Sequence, residues 1–120
     1  MRGERFLIKD RQFKLVYDSG RSWAGREVVV KALPNGLDIT RYGFAVSRRL
    51  GKAVVRNRIK RRLREIVGQI ALRGGWDIVF IARNPATQAD YKSLKISVEG
   101  LLVKAGLSLG EHEEVGSGIN

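Results

Sequence analysis

Arg48-Arg49-Leu50-Gly51-Lys52-Ala53-Val54-Val55-Arg56-Asn57-Arg58-Ile59-Lys60-Arg61-Arg62-Leu63-Arg64 is the stretch from which the rest of the chain can be read. Nine of these residues are Lys or Arg, and none is acidic. The pattern predicts a helix from about Ala53 to Leu72. At about 100° per residue, Val55, Ile59, Leu63, Ile66, Val67 and Ile70 fall within one arc of about 120°. Lys60, Arg64, Arg61 and Arg58 take up the remaining surface, with Arg56 and Arg62 at its margins. One face of this helix is core, and the opposite face is a positive ridge.

A charged helix face is often only a solvated one. Such faces mix signs to gain i,i+4 pairs, yet here Glu65 is the one acid between Val55 and Leu72. Like charges crowded together repel, and a polyanion laid against them removes that cost. Arginine dominates over lysine, and its planar fork can hold a phosphate through two hydrogen bonds. Asn57, between two arginines, has donors and an acceptor suited to a base edge or a ribose hydroxyl. Its other reading is a surface asparagine with no role.

Composition narrows the alternatives. With 120 residues and 43% hydrophobic content, the chain has the length of one domain and enough apolar mass for a core. The net charge of +11 belongs to proteins that meet phosphates or anionic surfaces. No apolar run approaches the roughly 20 residues needed to span a bilayer. No signal-peptide apolar region follows Met1-Arg2-Gly3-Glu4-Arg5, so a cytoplasmic location is expected. Cysteine is absent, which excludes disulfides and zinc-thiolate sites. The one histidine, His112, lies in a Gly- and Glu-rich tail, so no Ser-His or Cys-His nucleophile pair is expected on a stable scaffold. Of twelve acids, Glu111, Glu113 and Glu114 sit in that tail. The others are scattered singly, without a spacing that suggests a two-metal nuclease, although carboxylates distant in sequence can converge in space. The inventory describes a binder rather than a self-sufficient catalyst, with no catalytic residue and no metal ligand named.

Outward from the basic helix, Asp10 to Ser19 reads as a short helix, with Asp10 as its cap and Gly20 ending it in the left-handed conformation. Phe13, Val16 and Tyr17 share one face. An aromatic i,i+4 pair is more often core than ligand platform, but beside a basic surface it also offers stacking to unpaired bases. Arg26 to Leu33 reads as a strand. Pro34-Asn35-Gly36 is a turn with a strong hairpin signal, and Thr40 to Ser47 is the returning strand. Its Tyr42, Phe44 and Val46 point one way, and Arg41, Gly43 and Ala45 the other. Trp76 to Ala82 is a third strand, buried on both sides, ended by Pro85. A helix from about Thr87 to Ala105 follows, with Tyr91, Leu94, Val98, Leu101 and Leu102 on its apolar stripe. The domain is expected over 1–107, with a flexible tail over 108–120.

At this point the residues match a known family. Gly43-Phe44-Ala45-Val46-Ser47-Arg48-Arg49-Leu50-Gly51-Lys52-Ala53-Val54, running into Arg56-Asn57-Arg58-Ile59-Lys60-Arg61-Arg62-Leu63-Arg64, resembles the signature of the bacterial ribonuclease P protein component. Phe13-Lys14-Leu15-Val16-Tyr17 with Gly20 is similar to the family's first helix. Asp77-Ile78-Val79-Phe80-Ile81-Ala82-Arg83 with Pro85 is similar to its late strand.

The resemblance implies a small α/β (α+β) domain of order αβββαβα. Its central sheet is packed by helices, and its βαβ crossover is left-handed, as in the second domain of a small-subunit ribosomal protein. That hand runs against the usual right-handed rule. Three strands are legible in the residues, and the fourth is implied by the family.

The resemblance also implies a partner, a catalytic RNA. The holoenzyme removes the 5′ leader of precursor tRNA by Mg2+-dependent hydrolysis, with the RNA supplying the active site and holding most of the metal. Arg48, Arg49, Lys52, Arg56, Asn57, Arg58, Lys60, Arg61 and Arg64 would face that RNA. Phe13, Tyr17, Val29 and Lys31 would line a cleft for the leader. Where some relatives carry an aromatic, this chain has Lys31, a residue suited to a leader phosphate. Three rivals stay open: a structured-RNA module of ribosomal type, a metal-dependent nuclease using Asp38, Asp77 or Asp90, and a basic-region DNA-binding helix. The last would need a dimerising extension where Gly74-Gly75 stands.

Overall fold

The computed structural model describes residues 10–109. The order is α1 (Asp10–Ser19), β1 (Arg21–Ala24), β2 (Val28–Pro34), β3 (Arg41–Ala45), α2 (Ala53–Gly68), β4 (Trp76–Ala82) and α3 (Tyr91–Ala105). Single 3₁₀ turns precede α2 at Arg48–Leu50 and α3 at Asn84–Thr87. This is the αβββαβα order of a small α+β domain. Its four-stranded mixed sheet runs β1-β2-β4-β3.

β4 lies inside the sheet because both of its faces are apolar. Ile78, Val79 and Phe80 are all fully buried. It pairs antiparallel with β2 and parallel with β3. Parallel neighbours need a long crossover rather than a tight turn, and α2 supplies it.

The expected hairpin between β2 and β3 does not form. The turn itself is present: Gly36 sits at φ 74°, where a side chain would be strained, and Asn35 Oδ1 accepts the Leu37 N–H at 2.7 Å. The Asn35 amide then donates to the Ile39 carbonyl at 3.2 Å and to Asp77 of β4 at 2.9 Å. That ties the loop to β4, which inserts between β2 and β3. The hairpin is β1–β2, closed by Gly25 N–H on the Val28 carbonyl at 2.8 Å. β1 reads Arg-Ser-Trp-Ala and is mostly exposed. It has no apolar alternation to show in the sequence, and edge strands are commonly short and charged.

Other boundaries also shift. α2 ends at Gly68, and Leu72 forms an isolated bridge with Ser108. α3 starts at Tyr91 rather than near Thr87, because the Asp90 carboxylate caps it by accepting the Ser93 N–H at 2.8 Å. Gly20 ends α1 for a reason other than a left-handed φ. Its N–H donates to the Val16 carbonyl at 2.8 Å. A Cβ there would lie 2.5 Å from that oxygen and 3.0 Å from the Ala32 carbonyl of β2. Asp10 is the first residue of α1.

The sheet has two unequal faces. On one, Val28, Val30, Ala32, Ile78, Phe80 and Ala82 meet Ile59, Leu63, Ile66 and Val67 of α2 and Leu94, Val98, Leu101 and Leu102 of α3. Each Val, Leu, Ile or Phe among them contributes about 1.5–3 kcal/mol when fully buried, the two alanines less. Tyr42 and Phe44 extend this core, with the Phe44 and Phe80 rings stacked at 5.6 Å. On the other face α1 places Val16 on Val79, flanked by Phe13, Leu33, Ala45 and Ile81.

Leu107 is buried, and Leu109 N–H donates to the Ala71 carbonyl at 2.7 Å, so the chain stays on the domain through Leu109. The rest of the expected tail, with Glu111, His112, Glu113 and Glu114, lies outside the described residues. Among the described residues no helix is long and apolar enough to cross a membrane.

Candidate nucleic-acid interface

α2 keeps its core arc and its ridge where the periodicity puts them. Ile59, Leu63, Ile66 and Val67 are buried, while Asn57, Arg61 and Arg64 are exposed and Lys60 is partly so. The approach to the helix is shaped by a tight turn. Ser47 Oγ accepts the Arg49 N–H at 3.1 Å, and Gly51 turns the chain at φ 140°. Arg48, Arg49 and Lys52 are left exposed at the start of the ridge. Lys52 makes no side-chain cap, and the first turn of α2 holds no acid. Among the described residues the ion pairs are Lys14–Asp18 and Arg41–Asp77, so no described carboxylate forms an ion pair with a cation of α2, and Asp90 acts on Arg62 only from a distance.

The ridge is not uniform. Arg56 Nε donates to the Gly51 carbonyl at 3.1 Å and braces the turn. Arg58 leans off the ridge, and its Nη2 donates to the Thr87 carbonyl at 3.3 Å. Its Nε is buried with no hydrogen-bond partner among the described residues. One turn on, Arg62 Nη1 donates to the Ala89 carbonyl at 3.1 Å. Two arginines of the basic run thus hold the segment before α3. The cations free to meet a ligand are Arg48, Arg49, Lys52, Arg61 and Arg64, with Lys60 and the outer nitrogens of Arg56 beside them.

On the opposite face of the sheet, the four residues expected to line a cleft come together. Val29 pairs in register with Ile81, and Lys31 with Val79, so both project toward α1. α1 supplies Phe13, partly buried against the Val16–Val79 contact, and Tyr17, which is 37% exposed. Lys31 Nζ lies 5.5 Å from the Tyr17 ring centroid and donates to the Tyr17 carbonyl at 3.1 Å. Burial raises the Tyr17 phenol above its ordinary pKa, so the ring stays neutral. A ten-residue helix is about 15 Å long. A seven-residue strand runs to about 23 Å. α1 therefore leaves part of this face uncovered, and Val29 and Ile81 remain partly exposed.

The carboxylates have structural work. Asp77 accepts from Arg41 Nε at 2.9 Å and Nη2 at 2.8 Å. Asp90 caps α3, and the Ser93 N–H holds its pKa below the usual carboxylate range. Asp38 is exposed. No three acidic or imidazole groups converge among the described residues.

A basic α2 opposite a sheet, reached through a tight basic turn, with an aromatic-bearing α1 on the far face, is the arrangement against which known proteins can be compared. The family model "Ribonuclease P" matches residues 1–106. The chain belongs to the ribonuclease P protein family. The ribonuclease P protein component of Caldanaerobacter subterraneus is 46% identical over 103 residues, covering 84% of this chain and 89% of the relative. That of Dehalococcoides mccartyi is 39% identical and covers 98% of both chains. Among solved structures, a Staphylococcus aureus RNase P protein mutant with defective mRNA degradation activity superposes with a TM-score of 0.83 at 34% identity, covering 89% of this chain and 92% of that one. The RNase P protein from Thermotoga maritima gives a TM-score of 0.71 at 35% identity, covering 80% and 93%. Family membership makes the chain a protein component of a tRNA-processing endoribonuclease, and the ribosomal-module reading is not favoured.

Within this ribonuclease P protein, the division of labour among the arginines escaped the sequence reading. Its signal was present but faint. Arg62 stands at a margin of the core arc and Arg58 is four residues before it on the same side, where a long side chain can reach a neighbouring element.

Proposed function

We propose that the chain binds the catalytic RNA of ribonuclease P through the α2 ridge and the turn before it. The 5′ leader of precursor tRNA would lie on the surface between α1 and β2. The observation that carries this is the row of cations on α2 that form no ion pair with a described carboxylate. Cations along one helix face neutralise phosphates and release counterions, which lowers the repulsion between two RNAs. Tyr17 and Phe13 offer rings to unpaired bases, and Lys31 offers an ammonium to the phosphate between them. Holding the leader brings the scissile phosphate into register with the catalytic RNA.

The chemistry itself is assigned to the RNA and its Mg2+, which together supply the phosphodiester hydrolysis. Among the described residues, two of the acids weighed for a metal are engaged elsewhere. Asp77 is held by Arg41 and Asn35, and Asp90 by the Ser93 N–H. The protein binds and orients.

The test is 5′-end processing of a precursor tRNA by a ribonuclease P RNA at low Mg2+, with and without this protein. Stimulation is expected, and equal rates would overturn the reading. Affinity for the RNA should fall steeply with salt, with a log-log slope of several units if roughly six or more phosphates are contacted. Cleavage by the protein freed of all RNA would defeat the assignment of chemistry to the RNA.

A further inference from the structure

One flank of α2, with Gln69 just past its end, is laddered onto a single strip of chain. Arg58 reaches the Thr87 carbonyl, Arg62 the Ala89 carbonyl, and Gln69 Nε2 the Tyr91 hydroxyl at 3.3 Å. The strip runs from the end of β4 into α3. It also lines an open cavity of about 680 Å3, with Arg26, Glu27, Asn84, Thr87, Gln88 and Asp90 around it. The frame of this cavity is fixed from a second direction. Arg83 donates its N–H to the Glu27 carbonyl at 2.8 Å and its Nη1 to the Gly25 carbonyl at 2.7 Å. The β1–β2 turn is thereby fastened to the end of β4.

The lining sets groups suited to base and phosphate recognition beside two carboxylates, Glu27 and Asp90, of which Asp90 is engaged in capping α3. No hydrogen bond to another described residue engages the side chains of Arg26, Asn84 or Gln88. The two amides carry donor and acceptor side by side, the pattern that pairs with a base edge. The guanidinium suits a phosphate. Pro85 and Ala89 are the apolar members, so nothing here would grip a large apolar side chain. The volume falls in the range of about 300–1,000 Å3 typical of ligand sites.

We propose that this cavity takes one unpaired nucleotide of the RNA bound along α2, with Asn84 and Gln88 reading its base edge and Arg26 meeting its phosphate. The inference rests on the reading of α2 as an RNA-facing helix. It makes Arg58 and Arg62 positioning residues, which hold the nucleotide pocket at a fixed offset from the ridge. It also gives the protein a base-reading element beside a surface whose contacts, Asn57 apart, are cations suited to phosphates.

The chain has no cysteine, so an introduced one is a unique attachment point. Gln88→Cys and, separately, Glu65→Cys on exposed α2 would each carry an aryl azide. They would be photolysed with a ribonuclease P RNA transcript, alone and with a leader-bearing precursor tRNA. Position 88 is expected to crosslink to an unpaired nucleotide of the catalytic RNA, and a crosslink to the precursor tRNA alone would overturn the pocket as a site for the RNA on α2. Crosslinks from 65 with none from 88, or from 88 only to paired nucleotides, would overturn the pocket and leave the α2 reading standing. No crosslink from either position would overturn both. As a second measurement, Asn84→Ala with Gln88→Ala should weaken binding of the RNA that fills the pocket by about ten-fold, with the melting temperature unchanged. Unchanged affinity for both RNAs would refute the proposal.

Discussion

Lys31 of β2 reaches across to α1 and holds Tyr17 twice, with its ammonium 5.5 Å from the ring centroid and 3.1 Å from the backbone carbonyl. The carbonyl lies near the C-terminus of α1, where a cation is favoured. One side chain thus fixes the ring of the proposed leader surface and presents a charge beside it. Lys31→Met keeps most of the stem and removes both contacts. The variant should lose affinity for leader-bearing tRNA, reduce the salt slope by about one, and leave mature tRNA binding unchanged. An unchanged slope with normal leader affinity would mean that Lys31 serves α1 alone.

Arg58 and Arg62 should behave unlike their neighbours. Each donates to a backbone carbonyl of the segment before α3. Replacing either with Ala should cost about 1–2 kcal/mol of stability, since a charged donor is lost from a part-buried acceptor. Arg61→Ala and Arg64→Ala touch exposed side chains and should change stability by less than about 0.5 kcal/mol. Those two should weaken RNA binding instead. Urea melts and filter binding on the four variants would separate the groups, and equal stability losses in all four would contradict the division.

The contrast shows where the sequence was legible. Periodicity placed Ile59, Leu63, Ile66 and Val67 inside and Arg61 outside, because burial of an apolar arc is a local property of spacing. It also marked β4 as central, since Ile78 to Phe80 is apolar without alternation. What it missed depends on partners distant in sequence. Arg58 and Arg61 are chemically the same until Thr87 is brought beside one of them. The Asn35-Gly36 turn is a hairpin signal until the Asn35 amide finds Asp77 and β4 enters the gap. The cleft residues Phe13, Tyr17, Val29 and Lys31 were placed by family resemblance, since no local pattern links α1 to β2.

The Asp77 carboxylate is 8% exposed and is gripped by Arg41 through two nitrogens, with Asn35 as a third donor. Removing one partner of such a pair strands the other away from water. Asp77→Ala should therefore cost about 3 kcal/mol, read as a drop in denaturation midpoint. At a temperature where the variant is still folded, tRNA processing with the RNA subunit should be near normal. Loss of processing in a fully folded Asp77 variant would revive a catalytic role for this acid.

Asp90 gives an acid-range test. Its pKa is lowered first by the Ser93 N–H and then by the cations Arg62 and Lys92. A lowered folded-state pKa means that the cap acts fully above the unfolded value, about 3.9, and is lost as pH falls through the lower folded value. Asp90→Asn keeps an accepting oxygen that does not titrate. Its melting temperature should fall less steeply than that of the parent chain below pH 4. Parallel curves for the two would show that the cap carries no proton-linked stability.

Phe13 has two jobs that a pair of substitutions can part. Its ring packs against the Val16–Val79 cluster, so it belongs to the smaller core. It also lies on the surface proposed for the leader. Phe13→Ala removes both functions and should cost about 2 kcal/mol, below the range for a fully buried ring. Phe13→Leu keeps most of the packing volume and removes the aromatic face. Stacking on an aromatic is worth about 1–3 kcal/mol per base. Phe13→Leu should therefore melt within a few degrees of the parent chain while binding leader-bearing tRNA about ten-fold more weakly, with mature tRNA unaffected. Leader affinity equal to the parent would reduce Phe13 to a core residue and move the stacking role to Tyr17, whose ring is the more exposed of the two.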